Sequence, residues 1–349
     1  MKVWASVLVF FLSAASISAA EKKLIEFGWD EPDTQFMREH IAEMEKTPFD
    51  GCVFHINMTW QGWGEKKFTE ADVKSAIDDL KAIKSQKFTQ NFLRFNTTPA
   101  KLDWFDDHTA VLANAKLAAV VAGEGKCPGL LFDIEQYDGN LFDYRKQRDR
   151  ETKSWEVYSA QVRKRGREVM QAFQEGYPKL TIFLTFGYSL PWAESGEGKH
   201  ALAEVHYGLL APFLDGMLET AQDGVKFVDG CEIAYGYKEP AQFEKEYAAM
   251  KTGLLAIVRD EEKYHRHFSL GFGLWMDKDW RKVGWETNDF SKNFFTPQVF
   301  EGSMRKALDT ADEYVWVYTE SPKWWSKEGE PVKLPEAYRE ATRRARTSR

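Results

Sequence analysis

Cysteine is scarce in this chain: three in 349 residues, at positions 52, 127 and 231. That is too few for a disulfide framework, and the spacing matches no zinc site. Each lies in or beside an apolar, β-rich run, where a free thiol behaves as a small hydrophobe. A glycine-rich phosphate loop is also missing. The first β-rich run, Leu24–Asp30, passes into Pro32 without the G-x-G-x-x-G turn that a dinucleotide-binding sheet places there. There is no G-x-S-x-G elbow and no H-E-x-x-H helix, so the usual signatures of serine hydrolases and zinc peptidases are absent. Excess positive charge is absent too. The 47 Lys and Arg stand against 54 Asp and Glu, a net charge of −7, and no nucleic-acid partner is expected. After the first twenty residues no apolar run is long enough to cross a bilayer.

Those first twenty residues read as a secretory leader. Lys2 gives a basic start, Val3–Phe11 is a short apolar run, and Ser18-Ala19-Ala20 supplies small residues before Glu21. The expectation is a signal peptide over residues 1–20 and one exported domain over residues 21–349. That domain is secreted or periplasmic, without stable membrane insertion after cleavage. Nothing in the composition sets an oligomeric state.

What the chain does have is alternation. Eight β-rich runs are expected at Leu24–Asp30, Gly51–Asn57, Thr89–Asn96, Gly129–Glu135, Leu180–Gly187, Gly230–Gly236, Phe268–Asp277 and Glu313–Glu320. Each is followed by a helical pattern: Asp33–Lys46, Glu70–Ser85, His108–Gly123, Thr152–Gly176, Lys199–Thr220, Pro240–Lys263, Pro297–Asp309 and Pro335–Arg346. Thr69 with Asp72 forms a capping-box pattern, Thr296-Pro297 starts a helix, and Pro212 is expected to kink or split the fifth one. Eight β-then-α units without a dividing linker specify an α/β fold, a single-domain (β/α)8 TIM barrel. The strand-to-helix connections are the long ones, as the C-terminal face of such a barrel requires.

Alternation along each strand then sorts side chains into inward and outward sets. On the first strand Ile25, Phe27 and Trp29 are expected to face the helices, leaving Glu26, Gly28 and Asp30 inward. Later strands offer His55 and Asn57, Arg94 and Asn96, Asp133 and Glu135, Thr185 and Gly187. The sixth offers Glu232 and Ala234, with Ile233 and Tyr235 outward. The seventh offers Trp275 and Asp277, and the eighth Trp316, Tyr318 and Glu320. A purely structural barrel fills its interior with Val, Ile and Leu. Acids, a histidine, an arginine and amides at several strand ends indicate a site, although Glu26 and Arg94 could be a structural ion pair.

Carboxyl groups facing each other across a cleft suit glycosidic bond cleavage, in which one protonates the leaving oxygen and another attacks the sugar or activates water. Glu135 is the expected acid, with Asp133 raising its pKa through a neighbouring charge. Glu320 is the expected nucleophile or base, with Asp30, Glu232 and Asp277 in reserve. His55, Asn57, Arg94, Asn96, Trp275 and Tyr318 are expected to bind the carbohydrate substrate, Arg94 by an acidic group if the sugar has one. Loop tryptophans 60, 63, 192, 280, 285, 324 and 325 are candidates for stacking on pyranose faces. No cofactor is expected.

Phe132-Asp133-Ile134-Glu135, with Leu180–Tyr188 as the following strand, resembles a barrel glycoside hydrolase. Asp133-Ile134-Glu135 is similar to the end of the fourth-strand motif of chitinase-like enzymes. There the resemblance implies that Glu is the acid and that the Asp assists the substrate's acetamido group. That motif has a further Asp where this chain has Leu131, so a general glycosidase is implied rather than a chitinase. Two other readings use the same residues. In one, His55, Asp133, Glu135, Glu232 and Asp277 hold Mg²⁺ or Mn²⁺ in a sugar-converting enzyme. In the other, the barrel binds glycans without cleaving them.

Overall fold

The computed structural model describes residues 22–279, 284–325 and 334–347. The expected leader and Trp280 lie outside the described residues. The strands are β1 (Lys23–Gly28), β2 (Gly51–Phe54), β3 (Phe92–Asn96), β4 (Gly129–Asp133), β5 (Thr181–Leu184), β6 (Lys226–Asp229), β7 (Phe268–Leu270), β8 (Phe272–Trp275) and β9 (Tyr314–Thr319). All neighbours pair in parallel, in the order β7-β6-β5-β4-β3-β2-β1-β9-β8. β7 and β8 are one barrel strand interrupted at Gly271, the first half pairing with β6 and the second with β9. A Cβ at Gly271 would lie 2.7 Å from the Tyr314 carbonyl oxygen, which explains why glycine occupies the break. The ladder therefore closes, and the expected (β/α)8 barrel is the observed fold.

The helices between strands are α1 (Thr34–Met44), α2 (Glu70–Ala82), α3 (Thr109–Glu124), α4 (Trp155–Gly176), α5 (Ser189–Glu194), α6 (Leu210–Thr220), α7 (Pro240–Lys251), α8 (Glu261–His267), α9 (Pro297–Thr310) and α10 (Glu336–Thr347). Asp72 accepts from both the backbone N–H and the hydroxyl of Thr69, the expected start of α2. Pro212 does not split a helix. It sits in the first turn of α6, where its missing N–H has no helical acceptor to lose. The expected Pro240–Lys263 helix is two helices with a 3-10 turn, Gly253–Ile257, between them. α5 occupies what the sequence suggested was loop.

The sixth strand lies earlier than expected. Lys226–Asp229 makes the ladder, and Glu232–Gly236 curls into a 3-10 turn. Cys231 opens that turn at φ 45°, a left-handed conformation that costs a non-glycine residue about 1–2 kcal/mol. Asp229 offsets the cost by accepting from the Cys231 N–H at 3.1 Å, while also holding the Ser189 hydroxyl at 2.8 Å.

Two apolar clusters divide the barrel wall. Inside, Ile25, Phe27, Val53, Phe92, Leu131, Phe183, Val228, Tyr314 and Trp316 fill the lumen. Outside, Leu24, Phe54, Phe95, Phe132, Leu184 and Val317 meet the helices. Ile25 and Phe27 thus point inward, opposite to expectation, and Glu26 points outward, beside Cys52. Both faces of β1 are buried, so apolar character could not tell them apart. α4 and α6 touch through glycines: a Cβ at Gly166 would lie 2.1 Å from the Phe213 carbonyl oxygen.

Candidate active site

At the C-terminal mouth of the barrel is a cavity of about 730 Å³. Its walls are Phe27, Gly28, Trp29, Glu31, His55, Trp60, Arg94, Glu135, Tyr137, Glu232, Tyr235, Trp275, Tyr318 and Glu320. Eight of these were expected at the site: His55, Trp60, Arg94, Glu135, Glu232, Trp275, Tyr318 and Glu320.

Glu135 is held by its surroundings. β4 ends at Asp133, whose Oδ1 accepts from the Glu135 N–H at 3.2 Å. The Thr97 hydroxyl donates to the Glu135 carbonyl at 3.2 Å, and the next N–H, of Gln136, donates to the Tyr207 hydroxyl at 3.1 Å. Asp133 itself lies fully buried beneath the cavity. Its Oδ2 receives Arg94 Nε at 3.1 Å and Nη2 at 2.7 Å. Arg94 also gives Nη1 to Glu31 at 2.9 Å, and Trp60 covers its guanidinium at 4.2 Å. The Tyr137 hydroxyl completes the cluster, 2.9 Å from Glu135 Oε1, 3.1 Å from Asp133 Oδ2 and 3.3 Å from Arg94 Nη2. Burial first, and then the Asp133 charge, push the Glu135 carboxyl up to about 7, against the opposing pull of Tyr137 and Arg94.

Glu232 arrives on its 3-10 turn, its N–H bonded to the Thr185 carbonyl at 3.1 Å. Burial, then the charges of Glu135 and Asp133, raise it well above the ordinary carboxyl range. Its Oε2 is buried without a hydrogen-bond partner. On the opposite wall, Trp29 Nε1 donates to the Tyr318 hydroxyl at 2.8 Å, and that hydroxyl donates to Glu320 Oε1 at 3.3 Å. Burial and the nearby Asp277 raise Glu320 above its ordinary value.

Several expected site residues lie elsewhere. Asp30 follows the outward parity of β1 and sits behind the barrel wall, where Oδ2 accepts from the Trp324 N–H at 2.6 Å. Glu26 is buried next to it and makes no pair with Arg94, which binds Asp133 and Glu31 instead. Asp277 is buried under the last loop, accepting from the N–H groups of Glu320 and Ser321 at 3.1 and 2.7 Å and from Trp275 Nε1 at 3.0 Å. It anchors cavity residues without lining the cavity. Asn57 falls beyond the end of β2, is exposed, and donates to the Asp72 carbonyl near the start of α2. Asn96 is fully buried and is not in the cavity wall. Trp324 packs edge-on against Phe49, and Trp325 against Phe88. Trp63 and Trp192 are buried, and Trp285 packs on Tyr338. Of the loop tryptophans expected to stack on sugar, Trp60 alone among the described residues lines the cavity.

Strand parity missed Trp29, Glu31, Tyr137 and Tyr235. Trp29 and Glu31 follow the bend after β1, and Tyr137 lies on the turn after β4. The aromatic-acid pattern of Trp29-Asp30-Glu31 and of Glu135-Gln136-Tyr137 was the available signal. Trp29 is 68% exposed, Trp60 47% and Tyr137 46%, so all three present ring surface to a ligand.

The architecture, a (β/α)8 barrel, is shared with solved structures. A GH5-4 broad specificity endoglucanase from Bacteroides salanitronis aligns with 94% of this chain over 93% of its own length, at 12% identity and a TM-score of 0.50. A Thermobacillus composti GH10 xylanase aligns with 93% of this chain over 97% of its own, at 11% identity and a TM-score of 0.45. At these identities the likeness is one of fold. No family model matches the chain, and no curated protein matches it.

Proposed function

We propose that this protein is an exported glycoside hydrolase, with Glu135 as general acid and Glu320 as nucleophile or base. The observation that carries the reading is two carboxyl groups, Glu135 and Glu320, in the wall of one cavity, each held by a tyrosine hydroxyl. Glu135, at about 7, is tuned to hold and release a proton near neutral pH. Glu320, which accepts from the Tyr318 hydroxyl at 3.3 Å, is the partner carboxyl.

The Tyr137 hydroxyl has one proton to give and lies within reach of two carboxyl groups, 2.9 Å from Glu135 Oε1 and 3.1 Å from Asp133 Oδ2. It donates to Glu135 when that carboxyl is ionised. When Glu135 is protonated, its O–H can turn to the Tyr137 oxygen, and Tyr137 then donates to Asp133. Asp133 and Arg94 position this chain and set the charge that Glu135 feels. Trp29, Trp60 and Trp275 offer rings to pyranose faces. Asp277 holds Glu320 through its backbone.

The metal reading gains no geometric support. Among the described residues no group of three His, Cys, Asp or Glu side chains is arranged as a metal site. The carboxylate of Asp133 is taken by Arg94, and that of Asp277 by N–H groups.

Aryl glycosides with good and poor leaving groups test the roles. Removing a general acid harms mainly substrates whose leaving group needs a proton. Glu135→Gln should therefore keep most activity on a dinitrophenyl glycoside and lose it on an unactivated one. Glu320→Gln should lose both. Equal loss on both substrates in Glu135→Gln sinks its role as acid.

A further inference from the structure

We infer that the cavity is built for an amino sugar, a pyranose unit carrying a free ammonium group, in preference to a neutral or acidic sugar. The inference rests on reading the cavity as a saccharide site. Its wall carries four carboxyl groups, Glu31, Glu135, Glu232 and Glu320. Among the described residues the one guanidinium in that wall is Arg94, and four of its five N–H donors are committed. Two go to Asp133, one to Glu31 and one to Tyr137, and Trp60 covers its face. It has no free fork for the carboxylate of a uronic acid. Lys323, at the rim, donates to the Glu320 carbonyl at 2.7 Å. One such cation does not balance the wall.

Glu232 lines the cavity and its buried Oε2 has no hydrogen-bond partner; once ionised, this carboxylate takes donors only. A sugar hydroxyl supplies one donor, two acceptor lone pairs and no charge, whereas an ammonium supplies three donors and a charge. Tyr235 stands beside Glu232, stacked on Tyr318 with ring centroids 5.5 Å apart, and Trp275 lies 5.9 Å from Tyr235. Aromatic faces around acids attract a cation further. The raised pKa values of Glu232 and Glu135 agree with this. Burial and their mutual charge make both carboxyls hold a proton more tightly than usual. When an ammonium enters, each carboxyl that ionises releases one proton to solvent.

The test is calorimetric titration of the full chain with a fully deacetylated glucosamine hexamer, its N-acetylated counterpart, cellohexaose and hexagalacturonate. It is run at about pH 6, below the ordinary range of an aliphatic amine, in two buffers of different ionisation enthalpy. The glucosamine hexamer should bind about tenfold or more tighter than cellohexaose, the yield of one added charge-assisted hydrogen bond. It should release protons, cellohexaose should not, and hexagalacturonate should bind weakest. Glu232→Gln should narrow the ratio. A preference untouched by Glu232→Gln reflects only the acidic protein attracting a polycation, and overturns the inference. Cellohexaose binding as tightly as the glucosamine hexamer overturns it while leaving a saccharide site in place. Binding of none of the four overturns both.

Discussion

Arg94 binds a single oxygen of the fully buried Asp133 through two N–H groups, Nε at 3.1 Å and Nη2 at 2.7 Å. A buried ion pair adds little net stability while intact, but removing one partner strands a charge. Arg94→Ala leaves Asp133 and Glu31 facing each other without a cation. We expect it to cost about 3–5 kcal/mol, read as a lower urea midpoint. Asp133→Asn in the same chain should return part of that loss. A midpoint unchanged in Arg94→Ala contradicts the arrangement.

The pH dependence of catalysis follows from Glu135. A general acid acts when protonated, and this one titrates at about 7. kcat/KM should therefore fall as pH rises through that value. Arg94 stabilises the ionised form, so a variant that folds without its charge should move the falling limb to higher pH. A limb that stays in the ordinary carboxyl range, near 4.5, speaks against Glu135 as the acid.

The exposed rings make a separable prediction. Trp29→Ala and Trp60→Ala should each raise KM for an oligosaccharide by several fold, on the order of 1 kcal/mol of stacking. Trp29→Ala also removes the N–H that orients the Tyr318 hydroxyl toward Glu320. It should therefore lower kcat as well, whereas Trp60→Ala should act mainly on KM.

Glu26 affects stability rather than catalysis. Burial, then Asp30, raise its carboxyl well above the ordinary 4.5. A group that binds protons more tightly folded than unfolded stabilises fully at low pH. It loses that contribution as pH climbs from 4.5 toward its folded value. Glu26→Gln should therefore gain stability over wild type at about pH 8 and show little difference at about pH 4. Thermal melts at the two pH values check this, and a gap that widens on acidification contradicts it.

β4 was legible because its acids stand inside an otherwise apolar run, and no residue interrupts the alternation from Leu130 to Glu135. β1 was not. Its residues are buried on both faces, and the charged Glu26 lies on the side that meets the helices. Asp30 keeps the parity of Glu26 and so lies outside the wall with it, whereas alternation fails past the end of β2, where Asn57 turns to α2. Residues delivered by turns, such as Glu31, Tyr137 and Tyr235, are beyond any parity argument. Nor does the tryptophan side chain reveal which side of a loop it will take. Trp60 covers Arg94, while Trp324 and Trp325, on an equally long loop, are drawn into the core by Asp30.

The most direct test of the account is sugar release from a panel of polysaccharides and aryl glycosides, with wild type and Glu135→Gln assayed side by side. The account predicts release by wild type and its collapse in the variant wherever the leaving group needs a proton. Equal release by both proteins on every substrate contradicts it.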